Sequence, residues 1–344
     1  MKPSNQQGFN AIDLFSGAGG LTLGLKRAGF RVVGAVELDD LAAETYSANH
    51  PEVQLWQEDI RGLDPRKVRR ALGLRRGELH LLAGCPPCQG FSSLRTRWRS
   101  ISVEDDRNEL LFRFLDFVVE FRPRAIMMEN VPALARDSRF FVFAEKLQCL
   151  GYYISTDVLD AAAFGVPQRR RRLIVLAGDS KPISLAQPIP YRYTVRETIG
   201  FLPEAGNSGD SLHDLPETRT AKVVALIRAI PKDGGSRSSL GKDHQLDCHK
   251  RCKGFYDVYG RMSWNDVAPT ITGGCANPSK GRFLHPDQDR CITLREAALL
   301  QGFPMTYKFS LRRGKYSAAE MIGNALPPEF VQRQAAQVIK HLGG

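Results

Sequence analysis

The sequence predicts an α/β fold, a mainly parallel, doubly wound sheet with helices on both faces, joined to a smaller loop-rich module. Three observations predict it. Short apolar runs alternate with amphipathic stretches over the first 180 residues. Those runs are continuous rather than alternating, the pattern of strands buried on both faces. The pattern then breaks near residue 181, where KPISLAQPIPYRYT is punctuated by proline.

The strand-like runs, in order, are AIDLF (11–15), RVVGAVEL (31–38), LHLLAG (79–84), RAIMMEN (124–130), YISTDVL (153–159) and RLIVLAG (172–178). Helix-like stretches lie between several of them: DDLAAETYSANH (39–50), NELLFRFLDFVVEF (108–121) and FFVFAEKLQCLG (140–151). Residues 200–285 are rich in Gly, Ser, Asp, Pro and basic side chains, with weak periodicity. Helical signal returns at TLREAALLQGF (293–303) and PPEFVQRQAAQVIKHLGG (327–344). The expected domains are therefore a core over 1–184, a separate module over 185–285, and a C-terminal segment, 286–344, that returns to complete the core.

The 344 residues carry a formal net charge of +11. That sign and size suit a polyanionic partner, nucleic acid first; on charge alone a merely solvated basic surface is an equal reading. Seven scattered cysteines do not suggest a disulfide framework, so a reducing, cytoplasmic setting is expected. The opening MKPSNQQGFN has no apolar run, and LIVLAG (173–178) is too short to span a bilayer, so no membrane association is expected.

After the first strand comes DLFSGAGG (13–20). Gly17, Gly19 and Gly20 allow a tight strand-to-helix turn and close approach of backbone to a ligand. The dinucleotide fingerprint fails, because its third glycine position is Thr22. Glu37 ends the second strand, where a carboxylate can accept both ribose hydroxyls. Asp59 ends the next short extended stretch, QLWQED (54–59), and could accept from an adenine amine. Glycines, two strand-end acids and no phosphate-gripping Lys suggest an adenosine ligand without phosphates, such as S-adenosylmethionine. Singly, either acid reads better as a helix cap or a solvated loop acid.

GCPPCQGFS (84–92) puts Cys85 and Cys88 on a loop at a strand's carboxyl end. Four uses compete. A zinc site needs two further ligands, which Cys248, His249 and Cys252 could offer only at poor spacing. A redox pair lacks a thioredoxin-like context. Inert thiols leave the prolines unexplained. A nucleophile, thiolate being the best side-chain nucleophile near neutral pH, explains the exposed loop.

DLFSGAGG, GCPPCQGFS, MMENVP (127–132), FGVPQRRRRLIV (164–175), TLREAALLQGFP (293–304) and MIGNALPP (321–328) form an ordered series. It resembles the motifs of the DNA cytosine-C5 methyltransferases, over most of the chain outside roughly 185–265. The resemblance implies a Rossmann-like, S-adenosylmethionine-dependent methyltransferase core with a target recognition domain. It implies Cys88 as the nucleophile that attacks cytosine C6, with Cys85 a structural neighbour. Glu129 would share a proton with cytosine N3. In the run QRRRR, the family pattern selects Gln168, Arg170 and Arg172 for the site, and a strand would turn Arg169 and Arg171 the other way.

The cofactor residues so implied are Phe15, Ser16, Gly17, Gly19, Gly20, Glu37, Asp59, Ile60, Leu110, Asn324 and Ala325. Family members often have Ser or Ala then Val after that Asn; here it is Ala325-Leu326, a mild departure. Gln89, Ser92, Gln168, Arg237 and Arg261 are candidate DNA contacts, with Lys250, Arg251, Lys253 and Arg282 as further basic candidates. The polar segment 90–107 would close over DNA. A duplex cytosine hides C5 and C6 in the stack, so the base must be swung out.

The reading is a site-specific DNA cytosine-C5 methyltransferase acting on double-stranded DNA. It would be a monomer using S-adenosylmethionine and no metal, the modification partner of a restriction endonuclease encoded nearby. Three rivals are weighed against it. An RNA cytosine-C5 methyltransferase is opposed by the DNA-type module. An inactive DNA-binding homologue is opposed by intact Cys88, Glu129, Arg170 and Arg172. A dinucleotide-dependent oxidoreductase is opposed by Thr22.

Overall fold

The computed structural model describes residues 8–87, 110–241 and 257–344. The chain divides into two compact units, one of residues 1–160, 171–188 and 326–344, the other of 161–170 and 189–325. The second unit thus takes in 161–170 and 286–325, which the sequence pattern had grouped with the core and the C-terminal return.

The first unit is built in the order β1 (Asn10–Leu14), α1 (Gly20–Ala28), β2 (Arg31–Val36), α2 (Asp40–Asn49), β3 (Gln54–Trp56), α3 (Pro65–Ala71), β4 (Leu81–Gly84), α4 (Leu110–Phe121), β5 (Ala125–Asn130), α5 (Ser138–Cys149), β6 (Tyr153–Asp160) and β7 (Arg171–Gly178). These strands form a seven-stranded sheet in the order β3-β2-β1-β4-β5-β7-β6. All pairings are parallel except β5 with β7 and β6 with β7. From β1 the chain winds outward through β2 and β3, then returns to place β4 on the other side of β1. The carboxyl ends of β1 and β4 therefore flank a topological switch point, where ligands of such sheets bind.

Strand parity sorts the side chains. Ile12, Leu14, Leu82, Ile126, Met128 and Val175 join one apolar cluster with α3, α4 and α5. In α4, Leu111, Phe114, Leu115, Val118 and Phe121 repeat at three- and four-residue spacing and are all buried. Emptying such a position, as in Phe114→Ala, costs about 3–5 kcal/mol. On α1, Gly24 lies against α10 (Pro328–Gly343), so close that a Cβ would stand 2.4 Å from Val331 Cβ and 2.6 Å from the Pro328 carbonyl. The last helix of the chain thus packs on α1 within the first unit.

The second unit has little regular structure beyond α6 (Val195–Ile199), α7 (Ala221–Ala229), α8 (Leu294–Leu300) and α9 (Gly314–Asn324). Thr194 with Glu197, and Thr293 with Glu296, form reciprocal capping boxes at the starts of α6 and α8. Leu226, Ile227, Ile230, Val258, Tyr259, Leu284 and Cys291 make a small apolar core. Among the described residues no helix is long and apolar enough to cross a membrane.

Candidate active site

The glycine turn after β1 is held from below. Ser16 N–H donates to Val36 O at 3.0 Å and Gly19 N–H to Ser16 O at 2.9 Å. Phe15 has φ 61°, a left-handed backbone that a bulky residue adopts only under constraint. Gly17 has φ 53° and nothing within 4 Å of where a Cβ would stand, so its turn opens onto free space. Glu37 accepts from Gly17 N–H at 2.7 Å through Oε2 and from Asp39 N–H at 2.8 Å through Oε1. Burial pushes the Glu37 carboxyl above its ordinary value, although these two donors oppose the shift. Asp39, not Glu37, caps α2, accepting from Leu41 and Ala42 N–H.

A buried polar network stands behind this turn. Thr22 Oγ1 donates to Asp13 Oδ2 at 2.7 Å and, its one proton used, accepts from Tyr46 at 2.8 Å. Burial drives the Asp13 carboxyl up to about 7, with Thr22 opposing the shift and Glu37 adding to it. The Lys26 ammonium can only donate, so His50 Nδ1 accepts from it at 2.8 Å, and Nε2–H reaches the Gly19 carbonyl at 3.3 Å. Burial and Lys26 hold His50 neutral, down to about 4. The residue that breaks the dinucleotide fingerprint, Thr22, is therefore a strut joining β1, α1 and α2.

The remaining expected cofactor residues fall into two groups. Ile60 is buried, and Phe15 and Leu110 pack against the same apolar cluster. Asp59 is partly exposed and paired with Arg61 at 2.6 Å, whose hydrogen bonds hold its carboxyl below the usual range. In the second unit, Asn324 ends α9 with an exposed side chain, and the Ala325 carbonyl accepts from Gln301 Nε2 at 2.9 Å.

The reacting end gathers at the carboxyl ends of β4, β5 and the start of β7. Glu129 lies near the end of β5, 9% exposed, with Arg172 Nε 2.7 Å from Oε1. The Cys85 thiol hydrogen-bonds Glu129, and burial first, then the Glu129 and Asp13 carboxylates, pushes it well above the ordinary thiol value. Such a thiol stays protonated and is a poor nucleophile. Asn130, which sequence reasoning passed over, donates from Nδ2 to the Pro86 carbonyl at 2.8 Å, while its Oδ1 accepts from Val131 N–H at 2.8 Å. It ties β5 to the proline loop two residues before Cys88. Cys88, Gln89 and Ser92, like Lys250, Arg251 and Lys253, the zinc candidates Cys248, His249 and Cys252, and the 90–107 segment, lie outside the described residues.

Arg170 and Arg172 are turned inward, and Arg169 and Arg171 are exposed, the parity a strand dictates. The roles differ from expectation, however. Arg170 is buried and donates to the Ile271 carbonyl at 2.9 Å and the Gly323 carbonyl at 3.1 Å. Gln168 is fully buried; its Nε2 donates to Leu300 O at 3.0 Å and to Gln301, and its Oε1 accepts from Ile271 N–H at 3.0 Å. Both brace the second unit internally instead of presenting a polar head to DNA. Arg261 is corrected in the same way. It is 0% exposed and donates to the carbonyls of Ile227, Ile230, His285 and Gln288 and to Asp289. Its guanidinium substitutes for missing sheet ladders in a loop-rich core. Arg237 is likewise buried.

The C-5 cytosine-specific DNA methylase family model matches residues 9–340. The chain is 35% identical over 348 residues to the type II methylase M.HgiDII of Herpetosiphon aurantiacus, covering 97% of this chain and 96% of that protein. It is 32% identical to the type II methyltransferase M1.HphI of Haemophilus parahaemolyticus, covering 96% and 86%. Among solved structures, a prophage-encoded E. coli protein described as a DNA modification methyltransferase superposes with TM-score 0.72 at 26% identity, covering 98% of this chain and all of that one. With the motif-bearing glycine turn, the Glu129–Arg172 pair and the Asn130-tethered proline loop arranged about the switch point of its sheet, the chain belongs to the C-5 cytosine-specific DNA methylase family.

Proposed function

We propose that the chain methylates C5 of one cytosine within a specific duplex DNA site, as a cytoplasmic monomer and the modification partner of a restriction endonuclease. The observation that carries this is the placement of Glu129, locked by Arg172, beside the loop that leads to Cys88. Cytosine C5 is a weak nucleophile. Addition of the Cys88 thiolate to C6 makes C5 enamine-like, and a proton held between Glu129 and N3 offsets the charge that develops. Arg172 fixes the carboxyl rotamer for that task. Once C5 carries the methyl group, loss of its proton and expulsion of Cys88 restore the ring.

The residues of the glycine turn fit S-adenosylmethionine. Ser16 Oγ is buried with no hydrogen-bond partner, Gly17 faces open space, and the Glu37 carboxylate, just past the end of β2, would accept from the ribose hydroxyls. Phe15, Ile60 and Leu110 would wall the adenine; Asp59 would meet its amine by releasing Arg61; Gly19 and Gly20 would let the backbone approach. When bound, S-adenosylmethionine supplies an electrophilic methyl group on a sulfonium centre and leaves as S-adenosylhomocysteine.

Bisulfite sequencing of DNA from cells expressing the chain tests the proposal and reads out the target site. Duplex DNA carrying 5-fluorocytosine at that site should trap a covalent adduct, because fluorine cannot leave as a proton does. Methylation confined to an exocyclic nitrogen, or to tRNA, would overturn it.

A further inference from the structure

In the strand order β4-β5-β7, Glu129 stands on the middle strand, with a side chain from each flank beside it. On one flank Arg172 Nε of β7 reaches Oε1 at 2.7 Å. On the other, Gly84 of β4 pairs with Met128 of β5 in parallel register. The next residue along, Cys85, therefore comes level with Glu129 on the same face. All three residues lie in the first unit. The Cys85 thiol hydrogen-bonds the Glu129 carboxyl.

Cys85 is fixed before the chain leaves the sheet. Its N–H donates to the Leu14 carbonyl at 3.3 Å, carrying the pairing with β1 one step past β4. Asn130 Nδ2 grips the following residue, at the Pro86 carbonyl. Asp13 is the competing acceptor. It pairs with Ala83, two residues before Cys85 on the same face, and its carboxyl also acts on the thiol. Yet Asp13 Oδ2 is taken by Thr22, and Oδ1 has no hydrogen-bond partner among the described residues. The thiol proton therefore goes to Glu129. Burial first, then the two acids, keep that proton on sulfur at neutral pH, so Cys85 is a standing donor rather than a nucleophile.

We propose that Cys85 is a positioning residue for methyl transfer: its thiol and the Arg172 guanidinium clamp the Glu129 carboxyl from the two flanking strands, in the orientation that meets cytosine N3. A carboxyl held by Arg172 alone can pivot about that contact, and a second donor across β5 removes the freedom. A thiol is a weak donor, so its contribution is to orientation. A serine hydroxyl at the same position would supply it too, whereas an alanine methyl would not. The inference rests on Glu129 sharing a proton with the base during C5 methylation.

The test is single-turnover methylation of the target duplex by the full chain, measured beside duplex affinity. Cys85→Ala should slow transfer by about tenfold, the upper range for one hydrogen bond, with affinity near wild type. Cys85→Ser should recover most of that loss. In a Glu129→Gln background Cys85→Ala should add little, because the group it steers no longer carries a proton. An equal cost in both backgrounds, an unslowed Cys85→Ala, or a serine variant as slow as the alanine one would overturn the proposal. The hydrogen bond itself is read from the infrared S–H stretch, isolated as the difference between wild type and Cys85→Ser. That band should lie below the position of an unbonded thiol and move upward in Glu129→Gln, whose neutral amide is a weaker acceptor than a carboxylate. A band unmoved by Glu129→Gln would overturn the proposal even where Cys85→Ala does not fold. A wild-type chain that methylates no duplex would instead sink the proposed function, with the infrared result standing.

Discussion

Arg172 Nε meets Glu129 Oε1 at 2.7 Å, across the antiparallel pairing of β5 with β7. Both side chains are largely withdrawn from water, so removing either partner leaves the other's charge poorly compensated. Glu129→Gln keeps the shape but cannot exchange a proton with the base. It should lower kcat by about 10²–10⁴-fold, the usual worth of a positioned acid or base, while duplex affinity stays near wild type. Arg172→Lys should lose much of the activity as well, because an ammonium cannot reproduce the guanidinium's fixed geometry. Single-turnover methylation assays beside binding titrations would measure both.

Asn130 offers a second, independent handle on the same loop. Asn130→Ala deletes the donor to the buried Pro86 carbonyl, at a cost of about 1–3 kcal/mol for the unsatisfied group. If the tether serves Cys88, 5-fluorocytosine trapping should slow by more than the stability loss explains. A denaturant midpoint and a trapping rate, measured on the same preparation, separate the two effects.

The two cysteines of GCPPCQGFS should differ in reactivity. Cys85 is protonated by burial and by its acidic neighbours, so mass spectrometry after brief iodoacetamide treatment at neutral pH should find Cys88 alkylated well before it. Cys88→Ser should abolish transfer and keep DNA binding, and Cys85→Ser should keep activity. Equal loss in both variants would break the assignment of roles.

Arg261→Ala should destabilise the chain by about 3–5 kcal/mol, the range for breaking a buried, fully hydrogen-bonded charge, and this would show in its thermal midpoint. A DNA contact at that position would instead change the salt slope with the fold intact. The contrast shows where sequence reading stops. All the strands except the three-residue β3 were legible because apolar runs of that length admit few other structures, and Glu129 and the glycine turn were placed because they end such strands. Whether Gln168, Arg170 or Arg261 faces DNA or the interior was not legible, because their partners are mostly backbone carbonyls far along the chain, which no side-chain pattern announces. Helix α9 escaped notice for a related reason. Its buried Ala318, Ala319, Met321 and Ile322 make a short apolar face, mostly of small side chains, with weak periodicity. Thr22 looked only like a broken fingerprint, and its bond to Asp13 needed three dimensions to see.

That bond bears on stability against pH. Asp13 has its carboxyl raised from 3.8 to about 7 in the folded chain, so the folded state binds more protons than the unfolded state between those values. Stability contributed by this group is therefore full below about pH 4 and is lost as pH rises toward 7. The shift corresponds to at most about 4 kcal/mol. His50, lowered from 6.5 to about 4, acts with the opposite sign: the unfolded state binds the extra proton, so its contribution grows as pH rises from 4 to 6.5. In the wild type the two slopes partly cancel. Asp13→Asn mimics the neutral acid, keeps an oxygen to accept from Thr22, and removes only the first slope. Urea titrations at intervals from pH 4 to 8 should find the variant gaining stability on the wild type up to about pH 7 and running parallel to it above. A constant difference across that range would show that Asp13 is ionised in the folded chain throughout.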